Sequence, residues 1–308
     1  MAQVILHLGV HGTDEGSLAA WLAENKSVLA MRGAQVMGAR RFQKRFAQSL
    51  ADQGQSASDA DRRAFVDALG LRGVPDRLLV SAPDLLTPRA RVLAPDGLFG
   101  GDVTGRLRAL GGLLPGGVAL TLCLSVARAS TLIPALLAAR QTATDTSDAA
   151  VIEAWLQHLS APTLPWAALV AQIRRDMPQA RLVVWRHERL AQIWPSVLAH
   201  LAGLDTADET LPMAGVEGFA MLGIVPAAQV PMRRYIAAKP PPNPALMQRV
   251  AAAFAQGYGR LDPDAPTSIE RPGLTLPERI RARLTRLDEG YGAQWRAIGA
   301  IDGVETLA

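Results

Sequence analysis

The chain has a single cysteine, Cys123, among 308 residues. That excludes an internal disulfide framework and a cysteine-based zinc site. Cys123 lies in the apolar run VALTLCLSV, where a small buried hydrophobe is expected rather than a reactive thiol. Lysine is almost as scarce: Lys26, Lys44 and Lys239 are the only three among 32 basic residues. No stretch of about 18 uninterrupted apolar residues occurs, so no transmembrane helix is expected. The first residues lack the basic flank and long apolar centre of a secretory leader. The cytoplasm is the expected compartment. The formal net charge is only +4 and no dense basic run is present, so neither a nucleic-acid nor a membrane partner is suggested.

What is present is apolar. Hydrophobic residues make up 49% and charged residues 19%, with a mean hydropathy of +0.12, enough to bury a sizeable core. Four short runs, Val4–Leu8, Arg77–Ser81, Val118–Leu124 and Arg181–Trp185, lack strict alternation, as strands covered on both faces do. Helical patterns lie between them, over 17–31, 59–70, 103–113, 130–141, 149–158, 166–177 and 188–202. Arg40 to Arg63 reads as a surface helix and loop. Strand–helix alternation implies an α/β fold, a parallel sheet of about four to five strands with helices on both faces. Residues 1–204 form the expected core and 205–308 an extension packed on the same domain. Within the extension 205–242 reads as loop, with helices over 245–257 and 276–298, the first capped by Asn243 with Pro244 at its start.

The first strand runs into a glycine-containing turn, VILHLGVHGTDEGS over residues 4–17, and then into an amphipathic helix. Strand, glycine loop and helix N-terminus together form a common anion cradle, because backbone N–H groups converge there and the helix dipole favours negative charge. Neither a GxxxxGK[ST] loop nor a GxGxxG turn is met. Asp14 and Glu15 stand where an anion would sit, so a self-capped helix start without a ligand is the competing reading.

His7-Leu8-Gly9-Val10-His11-Gly12-Thr13-Asp14-Glu15-Gly16-Ser17 resembles the opening motif of the bacterial sulfotransferase-like family, H-I-G-x-H-K-T-G-T-T-S. It matches at both histidines, Gly9, Thr13 and Ser17. Leu79-Val80-Ser81, Ala119–Arg128, Val183–Leu190, Trp194-Pro195, Ala202-Gly203-Leu204 and Tyr291–Val304 carry similar but shorter likenesses.

The resemblance implies a P-loop-type sulfotransferase fold. It also implies a 3′-phosphoadenylyl sulfate donor, with adenosine 3′,5′-bisphosphate as product and a small-molecule or saccharide acceptor. The donor would lie against Gly9, Gly12, Thr13, Gly16 and Ser17, and its 3′-phosphate against Arg128, whose planar fork suits bidentate phosphate binding. The departures are specific. Gly12 stands where the family has its lysine cation. Pro83 stands where many relatives have a glutamate base, leaving Asp84 or His11 as the alternative bases. Leu136 stands where a serine is expected, with Ser130 and Thr131 nearby as substitute donors or helix caps. No metal site is expected. The reading is a divergent sulfotransferase-like protein with reduced or lost sulfuryl transfer. An interaction protein using the fold without ligand and an active enzyme with a rebuilt site are the alternatives.

Overall fold

The computed structural model describes residues 2–14, 16–52, 57–71, 77–94, 97–99, 103–141, 153–154, 156–157, 163–204, 211–260 and 276–308. Most of the helix expected over 149–158, and Glu15, lie outside them. The elements in order are β1 (Gln3–His7), α1 (Ser17–Glu24), α2 (Lys26–Met31), β2 (Ala34–Val36), α3 (Ala39–Asp52), α4 (Asp59–Leu69) and β3 (Arg77–Ser81). Then come the short hairpin β4 (Leu93–Ala94) and β5 (Gly97–Leu98), α5 (Val103–Leu113), β6 (Ala119–Val126), α6 (Ala129–Gln141), α7 (Trp166–Asp176), β7 (Arg181–Arg186) and α8 (Leu190–Ala202). The remainder is α9 (Glu217–Met221), α10 (Pro226–Ala238), α11 (Pro244–Tyr258), α12 (Glu278–Glu289), α13 (Tyr291–Gly299) and β8 (Val304–Leu307).

Six strands form one parallel sheet in the order β2-β3-β1-β6-β7-β8. In the centre His7 lies opposite Ser81 on one side and Cys123 on the other. The four apolar runs are the four inner strands. β2 and β8 are short half-buried edges without a long apolar run, which is why they add to the expected set. β8 comes from the last residues of the chain and pairs with β7, Leu182 opposite Val304 and Trp185 opposite Leu307.

Strand alternation divides the core in two. Val4, Leu6, Leu78, Val80, Leu122 and Leu124 face one layer, filled by Phe42, Phe65, Leu107, Trp166 and Leu284. Ile5, Leu79, Cys123, Val183 and Trp185 face the other, filled by Trp21, Trp194, Phe219 and Met232. Both faces are covered, as a parallel sheet requires.

Three helix expectations are corrected. The helix read over 17–31 breaks at Asn25, whose side-chain amide donates to Trp21 O at 2.8 Å and to Ala214 O at 3.0 Å. The stretch 205–242, read as loop, contains α9 and α10. Pro226 sits in the first turn of α10, where its missing N–H costs nothing, and Pro231 is tolerated inside it. The helix read over 276–298 divides at Gly290, where a side chain would bring a Cβ to 2.7 Å from Thr163 Cβ.

Candidate functional site

All the candidate residues lie at the carboxyl edge of the sheet, where ligands bind in open α/β folds. The turn after β1 does not leave the sheet at once. Leu8 N donates to Cys123 O at 2.8 Å, Val10 N to Ser125 O at 3.2 Å, and Ser125 N to Gly9 O at 2.6 Å, so the loop zips along β6. Gly9 has φ +89°, and a Cβ there would stand 2.9 Å from Pro83 Cβ. Gly12 has φ +85°, with Ala135 Cβ of α6 at 2.9 Å from where its own Cβ would be. Only glycine adopts both conformations without strain. Thr13 is buried and spends its hydroxyl on Val10 O at 2.8 Å.

The helix start beyond is closed by the chain itself. Ser17 N donates to Asp14 O at 2.8 Å, and Leu18 N donates to the Asp14 carboxylate at 3.0 Å. Gly16 occupies the cap position with φ +84°.

The two alternative bases meet. His11 Nε2 lies 3.0 Å from Asp84 Oδ1. His11 is buried and the Asp84 side chain is 41% exposed, so the pair sits at the mouth of the site. The hydrogen bond from His11 holds the Asp84 carboxyl down to about 2, aided by Gln43 and the Arg89 N–H and opposed by burial. His7 is different. Its ring stacks on Trp185 at 5.8 Å and its Nδ1 lies 2.9 Å from Ser81 Oγ. Burial pushes its pKa down, against the charge of Asp14. That makes it a neutral core histidine.

Beyond β6 the chain supplies more of its own carboxylates. Arg128 N donates to Glu188 Oε1 at 2.8 Å, and Tyr291 OH donates to Glu188 Oε2 at 2.9 Å. Asp288 of α12 caps α6: Ala129 N donates to its Oδ1 at 2.7 Å, and the Ser130 hydroxyl donates to its Oδ2. Burial pushes the Asp288 carboxyl up, against these hydrogen bonds and the charge of Arg128. The Arg128 guanidinium lies 5.9 Å from the Tyr291 ring centroid, and that of Arg186 lies 5.5 Å from the centroid of Trp295.

The structure thus brings Gly9, His11, Gly12, Thr13 and Asp84 together beyond the ends of β1 and β3, and Arg128 follows the adjacent strand β6. Leu136 is buried against the first core layer. Among the described residues no group of three histidine, cysteine or acidic side chains is placed to hold a metal, and no helix is long and apolar enough to cross a membrane. The residues that sequence reasoning missed are Glu188, Asp288 and Tyr291. Glu188 reads in sequence as a partner for its own helix dipole, whereas its carboxylate reaches across to Arg128. Asp288 stands 160 positions from Arg128 and carries no local signal.

No family model matches the chain, and no curated protein matches it in sequence. A distant structural likeness is to a sulfotransferase. That protein, whose crystal structure is from Alicyclobacillus acidocaldarius, is 13% identical, with 81% of this chain and 97% of that chain covered and a TM-score of 0.40.

Proposed function

We propose that this chain is a divergent sulfotransferase-like protein in which sulfuryl transfer from an adenylyl phosphosulfate is reduced or lost. One observation carries the reading. The carboxylates of Asp14, Glu188 and Asp288 already take the backbone N–H groups at the starts of α1 and α6 that a bound phosphate would need. A phosphate at the start of α6 would displace Asp288 or sit beside it. Each such like-charge pair at about 4 Å costs on the order of 4 kcal/mol at an effective dielectric near 20. Gly12 adds the second half of the reading. The resemblance assigns that position a cation for the charge that develops in transfer, and the close approach of Ala135 leaves no room for a side chain.

The experiment is a titration of the full chain with adenosine 3′,5′-bisphosphate, following thermal unfolding. A ligand at about 100 times its dissociation constant stabilises by roughly 2.7 kcal/mol. The expected result is no rise in Tm up to millimolar nucleotide. A rise that disappears in Arg128→Ala would overturn the reading in favour of a donor-binding enzyme with a rebuilt site.

A further inference from the structure

A second surface lies away from the sheet edge, on the hairpin of α10 and α11. Its inner side is built into the second core layer through Ala228, Met232 and Met247. Its outer side is a groove of about 500 Å³ lined by Tyr235, Leu246, Arg249, Val250, Phe254 and Tyr258. Large apolar side chains stand open here: Tyr235 is 42% exposed and Tyr258 53%. The rings lean on one another, Tyr235 edge-on to Phe254 at 5.9 Å and Phe254 stacked on Tyr258 at 6.2 Å. A contiguous exposed patch of this kind marks a binding surface more often than scattered apolar residues do.

Charge identifies the occupant. From Gly218 to Arg260 the sequence has no aspartate or glutamate, while it carries Arg233, Arg234, Lys239, Arg249 and Arg260. All five side chains are exposed, and no ion pair joins any of them to a described acidic residue. Arg249 lines the groove itself. Lys239 follows Tyr235 by four positions, beside it at the end of α10. An apolar trough with a rim of one sign is complementary to an amphipathic segment of the opposite sign.

The shape selects among anionic partners. Leu246, Val250, Phe254 and Tyr258 recur every four residues along α11 with Tyr235 of α10 beside them, a stripe whose spacing matches the i, i+4 anchors of an apposed helix.

We propose that the groove between α10 and α11 is a docking site for an acidic amphipathic helix of a protein partner. Its apolar stripe lies over Tyr235, Val250, Phe254 and Tyr258, and its carboxylates face Arg249, Lys239 and their neighbours. This inference is independent of whether the sheet edge binds a nucleotide.

The test uses the full chain and two fluorescein-labelled 18-residue peptides with the same leucine stripe. One carries glutamate at the remaining positions and the other lysine. The glutamate peptide should bind, and its affinity should fall as salt is raised from about 50 to about 500 mM, where screening shortens to a few ångströms. The lysine peptide should not bind. A Lys239→Glu/Arg249→Glu variant should weaken binding by about tenfold or more, and Tyr258→Ser should weaken it with Tm unchanged.

Failure of the glutamate peptide to bind at about 1 mM, or binding indifferent to these substitutions, would overturn the proposal. So would preferential binding of phosphatidylserine vesicles or of a thymidine oligonucleotide through the same residues. A dimer in sedimentation that Tyr258→Ser disperses would assign the groove to a second copy instead, and would also overturn it.

Discussion

At the scale of single residues, the sheet edge is governed by carboxylates that belong to the chain. Asp288 is instructive because its pKa is pushed up by burial despite two backbone N–H groups, Ser130 and the charge of Arg128. Its ionised form is therefore less favourable in the folded chain than in water. Asp288→Asn removes that cost and keeps an amide oxygen to accept from Ala129 N, so the net change in stability should stay within about 1 kcal/mol. Glu188→Gln joined to Asp288→Asn should leave the starts of Arg128 and α6 facing neutral amides. The double variant should then gain a phosphate-dependent rise in Tm larger than that of the parent, whose response sets the general salt effect. Equal responses would show that the carboxylates do not exclude anions.

Asp84 gives the opposite sign. Its folded pKa lies below its ordinary value, so the stability it contributes is present above about 3.8 and is lost as pH falls towards about 2. The Asp84→Asn variant should lose less stability than the parent across that window, measured by urea unfolding at stepped pH. The effect will be small because the carboxylate is 41% exposed. Gly12→Lys tests the loop directly. The left-handed backbone alone costs about 1–2 kcal/mol for a side-chain-bearing residue, and the contact at 2.9 Å from Ala135 Cβ adds to it. The variant should melt several degrees lower, at about 2–4 °C per kcal/mol for a chain of this size.

At the scale of elements, legibility followed burial. β1, β3, β6 and β7 are covered on both faces, so each had to be an apolar run, and the runs announced them. β2 and β8 have three and four residues and half-buried patterns, so pairing rather than composition makes them strands. α10 starts at Pro226, a helix-start signal, and carries Pro231 inside it, where proline ordinarily breaks a helix. The candidate site divides in the same way. The loop around Gly9 and Gly12 was readable because it is contiguous. The pairings of His11 with Asp84, of Arg128 with Glu188, and of α6 with Asp288 cross 60 to 160 positions, and no local pattern encodes them. β8 carries an expectation of its own. Glu305 accepts from Arg181 at 2.6 Å and lies 2.9 Å from His200 Nε2, tying β8 to both β7 and α8. Glu305→Leu leaves Arg181 without that partner and should speed amide exchange in β8 more than in β6.

At the scale of the whole molecule, the two core layers share one sheet, and that sharing couples them. The residues of β1 alternate between the layers, Val4 and Leu6 into one and Ile5 into the other, so neither layer can open without disturbing the strand that serves both. The chain carries a convenient reporter of this coupling. Cys123 is its only cysteine, sits on β6 at the centre of the sheet, and has a thiol pushed up to about 12 by burial. A thiol so placed reacts only when the strand around it is exposed. Trp166 packs in one layer and Trp21, Trp185 and Trp194 in the other, so fluorescence follows both layers. With the layers coupled, Cys123 labelling across a urea series should give the same midpoint as tryptophan fluorescence. Labelling at urea concentrations well below that midpoint would mean that the layer around α1 and α8 opens first and that the sheet does not unite them.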